Sequence, residues 1–446
     1  MSSSTAVPGL RGDILLAGDP GYDEAIAGYN LAALPSPAAV VRAVDASDVA
    51  AAVRFAARDG LPVSVKATGH APDPTDGALL IHTGDLDGVR VDPEARTVRV
   101  EAGVRWECVV AAAARHGLAA LNGSSPNVGV VSYTLGGGVG LLGRAYGYAA
   151  DHVRELRVVT ADGAERVVDP DRHPDLFWAL RGGKGAFGVV TSMVFDLFPL
   201  ARLYGGALYF PVEQAGEVFN AYLEWLRTVP EELTSSIAVL RLPPYLALPE
   251  PLRGKLVVHI RVAYPGPDGE RVVKPLREIA TPLVDTVGDL PYERIHSIFH
   301  DPADPIPFLD NTALLHSATP ATVDALLAAH QGTETVAMAE LRHLGGAFTC
   351  PPKYPNAVSH RDAAFLYYGV SIARPRQFAQ ARAELDALRA GLAPWASGGI
   401  ALNFTSDPAD VRAAFDETTY TRLTEVKARW DPDNLFRGGL TAPPVP

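Results

Sequence analysis

Cysteine is almost absent from the 446-residue chain, which contains only Cys108 and Cys350. Two cysteines cannot form a disulfide framework, and the separation of this pair fits no zinc-binding spacing. We therefore expect both to be buried apolar side chains. The sequence predicts neither a disulfide-stapled fold nor a metal site.

Basic residues are outnumbered, with 39 Lys and Arg against 51 Asp and Glu and a net charge of −12. Because neutralising phosphate requires clustered Lys and Arg, this balance argues against a nucleic-acid partner. No stretch reaches ~18 uninterrupted apolar residues, so the sequence predicts no membrane span. Residues 1–13 also lack the basic start and apolar core of a secretory signal. We expect a soluble, cytoplasmic protein, and the sequence does not indicate its oligomeric state.

The length and the patterning of the chain predict two α+β domains. A chain of 446 residues is typical of about two or three domains. Residues 47–60 have a helical pattern, which Ser47 and Gly60 are suited to cap. Short strands and glycine-rich loops dominate up to Pro199, whereas strands alternate with long helices after it. We therefore place a domain boundary near residue 200.

Glycine and other small residues concentrate in two segments that are suited to bind a pyrophosphate. Residues 66–71 (KATGHA) follow a predicted strand, and residues 136–140 (GGGVG) form a second tight turn. Residues 121–144 as a whole are too rich in glycine for a helix and too apolar for disorder, so we expect a packed backbone wall. A glycine-rich loop is more often only a tight loop, so these segments alone leave the function open.

A nicotinamide cofactor is the alternative that these glycines also suggest. Residues 138–143 (GVGLLG) satisfy the G-x-G-x-x-G pattern, which is credible only between a strand and a helix with an acidic residue about 20 residues later. Gly136 and Gly137 interrupt any preceding strand, and Asp162 lies in a predicted hairpin turn. We regard this alternative as the weaker one.

Six segments, taken in their order along the chain, give a more specific signal. They resemble the berberine bridge enzyme-like oxidases, which belong to the vanillyl-alcohol oxidase flavoprotein superfamily. The resemblance covers residues ~20–200 and ~400–440 and is looser between them. The segments include 61–70 (LPVSVKATGH), 123–129 (GSSPNVG), 134–138 (TLGGG), 175–183 (DLFWALRGG), 185–191 (GAFGVVT) and 431–436 (DPDNLF).

The resemblance implies an α+β, two-domain PCMH-type FAD-binding fold with an inserted substrate domain. An FAD-binding domain of residues 1–200 is followed by a substrate-binding domain of residues 201–403, which carries an antiparallel sheet covered by helices. Residues 404–446 return to the FAD-binding domain. The implied function is an FAD-dependent oxidase of secondary metabolism. Hydride moves from a small alcohol, amine or related molecule to the flavin, and molecular oxygen reoxidises it.

The same resemblance assigns residues to the cofactor. His70 matches the histidine that attaches covalently to the flavin, and Asn403 matches an asparagine near the flavin ring. Ser125 stands where many relatives have a cysteine that forms a second link, so a single link is expected. Val128 matches a position at which valine leaves room for oxygen. The expected cofactor-binding residues are Lys66, Ala67, Thr68, Gly69, His70, Ala71, Gly123, Ser125, Val128, Gly129, Thr134, Gly136, Gly137, Gly138, Gly140, Gly188, Val190 and Asn403.

Three departures from the family pattern leave the acid–base chemistry open. Pro72, Gly369 and Ala401 stand where plant relatives carry polar groups. If the substrate is an alcohol, its proton must leave as the hydride does, so a base is still expected. A non-redox flavoprotein, in which FAD only shapes a pocket, is an alternative, and a pure binding protein is a weaker one.

Two tyrosines are the catalytic candidates among the remaining polar residues. Tyr133 lies in the glycine-rich segment, and Tyr367 shares a strand face with the glycine at the family's base position. Tyr368 is expected on the opposite face. A tyrosine base requires a nearby cation, because an ordinary phenol with a pKa of ~10 is almost wholly protonated at neutral pH. Arg342 or His343 is expected to supply that cation, or to hold an anionic or carbonyl substrate.

Overall fold

The computed structural model describes residues 7–71 and 76–437, so Pro72 lies outside the described residues. Within these ranges the chain alternates strands and helices, in keeping with the predicted α+β class. The strands are β1 (Asp13–Leu15), β2 (Ala39–Arg42), β3 (Val63–Lys66), β4 (Leu79–His82), β5 (Val89–Asp92), β6 (Thr97–Glu101), β7 (Leu118–Ala119), β8 (Val153–Val159), β9 (Glu165–Val168), β10 (Val189–Asp196), β11 (Phe198–Pro199), β12 (Arg202–Pro211), β13 (Thr234–Arg241), β14 (Leu256–Tyr264), β15 (Val284–Asp285), β16 (Gly288–Pro291), β17 (Phe308–Leu315), β18 (Val336–His343) and β19 (Phe365–Ile372).

The helix expected at residues 47–60 begins at Ala46 and ends at Asp59. Its N-cap is Asp45, whose carboxylate accepts a hydrogen bond from the backbone N–H of Asp48 at 3.0 Å, so the assignment of the cap to Ser47 was wrong. No helix in the described ranges is long and apolar enough to cross a membrane. The α-helices are α1 (Tyr22–Ile26), α2 (Ala46–Asp59), α3 (Trp106–Ala114), α4 (Val130–Leu135), α5 (Gly143–Tyr146), α6 (Pro174–Gly183), α7 (Ala215–Trp225), α8 (Gly269–Arg277), α9 (Pro320–His330), α10 (Phe378–Gly391) and α11 (Glu417–Trp430), and the short 3-10 helices include Ala149–His152, Tyr292–Ile298 and Leu402–Phe404.

Two sheets organise the first part of the chain. One has the order β1-β2-β4-β3, in which β4 runs parallel to both β2 and β3. The other is antiparallel, with the order β5-β6-β10-β8-β9. Helix α2 packs its apolar side against the first sheet, where Val53 and Leu79 share one core. Phe436 forms a parallel bridge to Val63, which brings the end of the described chain back to this region.

One eight-stranded antiparallel sheet occupies the middle of the chain, with the order β15-β12-β14-β13-β18-β19-β17 and with β16 beside β12. Helices α7 to α10 cover one of its faces. Phe219, Ile237, Leu341 and Leu388 pack together in that core. The expected antiparallel sheet covered by helices is therefore confirmed, and the exact domain boundaries at residues 200 and 403 stay a prediction.

The opposite face of this sheet is polar, because side chains alternate between the two faces of a strand. Most of its charged members are nevertheless buried, which requires them to be paired. We call this surface the polar sheet face. It consists of Ser236, His259, Arg261, Asp310, Glu340, Arg342 and Tyr368, on five neighbouring strands.

Two further sequence expectations were wrong for local reasons. Residues 121–144 contain helix α4 (Val130–Leu135), since residues 130–135 include no glycine and the glycines that follow end the helix. Cys108 and Cys350 are both exposed. Cys108 lies on α3, whose buried face is formed instead by Trp106, Val109 and Ala113.

Candidate active site

The turn after β3 brings the backbone of Gly69 into close contact with that of Gly28. Gly69 has a positive φ of 68°, and a Cβ there would lie 2.6 Å from the Cα of Gly28. The backbone N–H of Tyr29 donates to the carbonyl of Thr68 at 3.0 Å, and that of Asn30 donates to the carbonyl of Gly69 at 3.0 Å. Only glycine permits this approach, because any side chain at either position would displace the other strand.

His70 stands at the tip of this turn with one nitrogen unused. Its ring stacks on Tyr29, with the ring centroids 3.9 Å apart. Burial, together with the positive charge of Arg105, lowers the pKa of His70 to about 4, so its imidazole is neutral at neutral pH. The imidazole is hydrogen-bonded to the backbone of Asn127, and Nε2 is buried without a partner within the described part of the chain. The tautomer that carries its proton on Nδ1 leaves the lone pair on Nε2.

The segment before α4 meets the His70 turn. A Cβ at Gly129 would lie 3.6 Å from the Cβ of Ala67 and 3.7 Å from Oγ1 of Thr68. The hydroxyl of Ser125 is buried and, among residues 7–71 and 76–437, has no hydrogen-bond partner. Val128 is half-buried beside them. Two of the predicted cofactor segments therefore share one surface, with an unsatisfied polar atom in each.

Asn403 fixes the position of the third predicted cofactor segment, residues 136–140. Its Oδ1 accepts a hydrogen bond from the backbone N–H of Gly138 at 2.8 Å, and its Nδ2 donates to the carbonyl of Tyr133 at 2.9 Å. Gly137 and Gly138 both have positive φ, at 106° and 79°. We call the segment from Gly136 to Gly140 the glycine wall. Because both ends of the Asn403 amide are used, this residue holds the wall in place.

Some predicted cofactor residues have side chains that are already bonded within the protein. The ammonium of Lys66 donates to the carbonyl of Ala25 at 2.7 Å, and burial lowers its pKa to about 8. The hydroxyl of Thr134 is bonded to the carbonyl of Val130 within α4. Gly188 directly precedes β10, which contains Val190, and a Cβ at Gly188 would lie 2.6 Å from the carbonyl oxygen of Val159. A Cβ at Gly123 would lie 3.0 Å from the ring of Tyr133 and one at Gly140 3.1 Å from its hydroxyl, whereas Ala71 is exposed beyond the turn.

These residues fit an FAD molecule. Pyrophosphate and flavin both require close backbone approach, which the glycines at the turn and in the wall permit. In the part of the chain that the structure describes, Nε2 of His70 and the hydroxyl of Ser125 are buried polar atoms without the partner such atoms normally have. His70, Gly129 and Asn403 would therefore hold the cofactor.

Tyr133 is a packing residue, which contradicts its prediction as a catalytic base. Its side chain is 7% exposed, and its hydroxyl donates to the carbonyl of Leu121 at 3.1 Å. Burial raises the pKa of the phenol far above its usual range. Its ring lies edge-on to Trp106 and fills the space that Gly138 leaves. A base must reach the substrate, and this phenol is enclosed.

The position of Tyr367 in the structure also contradicts the prediction that it is a base. It shares a strand face with Gly369, as expected, but this face is the one that the helices cover. Its side chain is fully buried, and its hydroxyl is without a partner among the residues that the structure describes. Burial raises its pKa far above the usual range. Its hydroxyl therefore points into the core between the sheet and α10.

Tyr368 is the tyrosine that faces the first part of the chain. Its hydroxyl donates to Oδ2 of Asp310 at 3.3 Å, and its ring lies edge-on to Phe404 at 5.0 Å. Asp310 also accepts bonds from the backbone N–H and the hydroxyl of Ser406, at 2.9 and 2.6 Å. Burial raises the pKa of this carboxyl. Tyr368 and Asp310 thus form a connected pair next to the segment that contains Asn403.

A buried charge cluster lies beside this pair. Glu340 is fully buried and accepts a bond from Nη1 of Arg261 at 2.5 Å and from Nε of Arg342 at 2.7 Å. These two guanidiniums lower the pKa of Glu340 against the opposing effect of burial. Sequence reasoning found Arg342 but missed Glu340 and Arg261. A charged residue inside an otherwise apolar strand, such as Arg261 in β14, was the signal for them.

Arg342 and His343 differ in charge, although both line the same cavity. Arg342 lines a cavity between the polar sheet face and the glycine wall. His343 lines the same cavity, but burial and the charge of Arg144 lower its pKa to about 3. Of the two cations that the sequence suggested, His343 is therefore neutral at neutral pH.

Two domain models match the chain at the positions where these features lie. A model described as an FAD binding domain matches residues 37–169, which include the His70 turn and the glycine wall. A model described as berberine and berberine like matches residues 402–439, which include Asn403. The two matches therefore contain the residues that meet at the cofactor surface.

Two curated relatives match the chain over nearly its whole length. The chain is 29% identical to an uncharacterized FAD-linked oxidoreductase, YvdP, of Bacillus subtilis (strain 168), over 98% of each chain. It is 27% identical to the (R)-6-hydroxynicotine oxidase of Paenarthrobacter nicotinovorans, over 100% of this chain and 99% of the relative. Its fold matches a crystal structure of 6-hydroxy-D-nicotine oxidase from Arthrobacter nicotinovorans with a TM-score of 0.87, at 24% identity over 100% of both chains. The chain therefore resembles berberine bridge enzyme-like proteins, and it is an FAD-dependent oxidoreductase with a two-domain α+β fold.

Proposed function

We propose that this enzyme is an oxidase that holds FAD covalently through His70 and oxidises a small organic molecule. The observation that carries the proposal is the buried Nε2 of His70, which has no partner within residues 7–71 and 76–437 and lies on a turn whose backbone is left bare by Gly28 and Gly69. Attachment requires a neutral imidazole with a free lone pair, and the low pKa of His70 provides it. Ser125 supplies no thiolate, so we propose a single link.

The chain itself must position the substrate and handle its proton. FAD, when bound, supplies the acceptor for a hydride from the substrate, and we propose that molecular oxygen is the final acceptor. The substrate lies between the glycine wall and the polar sheet face, where polar groups converge. The domain limits at residues 200 and 403 place these two surfaces in different domains under this proposal.

Tyr368 and Asp310 are the groups that we propose for proton transfer from an alcohol. Burial and the carboxylate of Asp310 raise the pKa of Tyr368, so the phenol does not act as an ionised base. It instead receives the substrate's hydroxyl proton on its oxygen while its own proton passes to Asp310 along their hydrogen bond. An amine that binds in its neutral form needs no such transfer. The (R)-6-hydroxynicotine oxidase relative supports the proposal of an oxidase.

Anaerobic mixing with a library of small alcohols, amines and secondary metabolites tests the function. An oxidase substrate should bleach the yellow flavin, and admission of air should restore the colour and release hydrogen peroxide. A non-redox flavoprotein would instead convert a compound without bleaching, and a binding protein would do neither. Conversion without bleaching would refute the proposed oxidase.

A further inference from the structure

A small cavity adjoins the glycine wall and the polar sheet face. Gly140 and Leu141 line it on one side, and Ser236, Arg342 and His343 line it on the other. This partly open space admits about one or two water-sized groups. A polar head group fits such a space, whereas a whole substrate does not.

Within the described residues, this cavity carries one more positive charge than the carboxylates that pair with it. Arg261 and Arg342 both pair with Glu340, and no other carboxylate pairs with either guanidinium within the described part of the chain. Two cations therefore share one anion. His343 adds no charge at neutral pH, because burial and Arg144 lower its pKa to about 3. A buried charge without a partner is costly, so an anionic ligand is favoured here.

Arg342 is the guanidinium that has free donors. Its Nε is bonded to Glu340, and its charged group lies 4.9 Å from the ring centre of Phe299 and 4.7 Å from that of Phe404. Its two terminal nitrogens have no hydrogen-bond partner anywhere in residues 7–71 and 76–437. Arg261, by contrast, directs all three of its nitrogens at neighbouring side chains. Arg342 is thus held in place and still open to a ligand.

We infer that this cavity is the subsite for a carboxylate group of the substrate, which binds Arg342 through two parallel hydrogen bonds. The inference rests on the proposed function and names its substrate class, a small organic acid. The planar fork of arginine matches a carboxylate in this bidentate arrangement. Glu340 orients the fork, and the rest of the substrate extends out of the cavity along the glycine wall.

Isothermal titration calorimetry of the yellow, FAD-loaded protein tests this subsite with three matched pairs of ligands. The pairs are acetate and acetamide, benzoate and benzamide, and phenylacetate and phenylacetamide. We expect at least one carboxylate to bind about tenfold or more tightly than its amide, because a charge-assisted hydrogen bond is about twice as strong as a neutral one. Equal affinities within every pair, or no binding of any carboxylate, would overturn the inference.

Variants then test whether Arg342 causes the preference for carboxylates over amides. Arg342→Gln should lower carboxylate affinity about 10- to 100-fold and leave amide affinity within about threefold. Arg342→Lys keeps the charge without the fork and should retain part of the preference. Glu340→Gln removes the carboxylate that pairs with both arginines. It should therefore strengthen carboxylate binding, whereas Arg342→Gln should weaken it. Equal weakening of acid and amide by Arg342→Gln would contradict the assignment.

Arg202→Gln is the matched control, since it removes the same charge from an exposed pair with Asp289 at the start of β12. It should leave both affinities unchanged. Calorimetry needs no turnover, so the failure of this test and the failure of the oxidase are separate results. A protein that bleaches and recovers but ignores carboxylates would refute only the subsite.

Discussion

The two walls of the active site recognise ligands in opposite ways. The glycine wall presents bare backbone, and a Cβ added at Gly136 or Gly138 would lie within 2.9 Å of a neighbouring side chain. The polar sheet face presents charged side chains, including the fully buried Glu340. The first wall selects a ligand by shape, because it has no space for an added atom. The second selects by charge, because its buried groups need a partner.

This difference separates the cofactor from the substrate. Backbone positions cannot change without moving the chain, which suits a ligand of constant shape such as FAD. Side chains on a rigid sheet can be exchanged one at a time, which suits a substrate that differs between relatives. The comparison predicts that added bulk damages the first wall, whereas changes of polarity damage the second.

The largest effect is expected from Gly138→Ala. The new Cβ would lie 2.6 Å from Ala149 and 2.8 Å from the ring of Tyr133, at a positive φ. Crowding and strain together should cost about 2–4 kcal/mol and abolish FAD retention. The measurement is flavin content and the thermal unfolding midpoint. Gly216→Ala on α7, where a Cβ meets nothing within 4 Å, is the control and should stabilise the fold by up to about 1 kcal/mol. Normal flavin content in Gly138→Ala would contradict the shape-selective wall.

Tyr368→Phe and Tyr367→Phe form a matched pair on opposite faces of β19. For an alcohol substrate, Tyr368→Phe should slow anaerobic flavin reduction about 100-fold, since it removes the link to Asp310. Tyr367→Phe should leave the rate unchanged and raise stability by about 1 kcal/mol, because it removes a buried hydroxyl that has no partner within the described ranges. Stopped-flow absorbance and thermal unfolding measure both. Equal rates in the two variants would remove Tyr368 from the mechanism.

Val128→Leu should have a smaller effect that is confined to oxygen. Val128 is half-buried next to Gly129, and one added methylene can fill a narrow path in a packed site. Reoxidation of the reduced flavin should slow about tenfold, whereas flavin reduction stays nearly unchanged. Val91→Leu, at a half-buried position on β5, is the control and should alter neither rate. Unchanged reoxidation in Val128→Leu would separate this residue from oxygen access.

The smallest effect is expected from pH. Burial and Arg105 lower the pKa of His70 to about 4, so its imidazole is already neutral at any pH well above that value. Attachment of FAD to the apo-protein should therefore proceed at a constant rate from about pH 8 to about pH 5.5, and slow only as protonation begins near pH 4. In-gel flavin fluorescence over time measures this rate. Half-maximal attachment near pH 6.5 would indicate an ordinary, solvated histidine.

The His70 turn and the glycine wall could be predicted from the sequence because their signals are local. Gly69, Gly137 and Gly138 serve backbone conformations with positive φ that are set within a few residues. The segment around His70 likewise follows directly from the strand that precedes it. Such motifs keep their meaning when read in order along the chain.

The polar sheet face could not be predicted in the same way. Arg261 and Glu340 are 79 residues apart and meet only because β13 lies between their strands. Alternation along β19 correctly separated Tyr367 from Tyr368, but it does not reveal which face the helices cover. The family's base position matches Gly369, so the sequence favoured Tyr367, which shares its face of β19. The helices cover that face, which leaves Tyr368 on the open one.

Mass spectrometry of a tryptic digest tests the central claim most directly. Cleavage after Lys66 and Arg90 releases residues 67–90, and cleavage after Arg115 and Arg144 releases residues 116–144, which include Ser125. We predict the mass of FAD on the first peptide, located by fragmentation at His70 rather than at His82, and an unmodified second peptide. His70→Ala should release the flavin on acid precipitation. An unmodified first peptide from yellow protein, or flavin on the second peptide, would contradict attachment through His70.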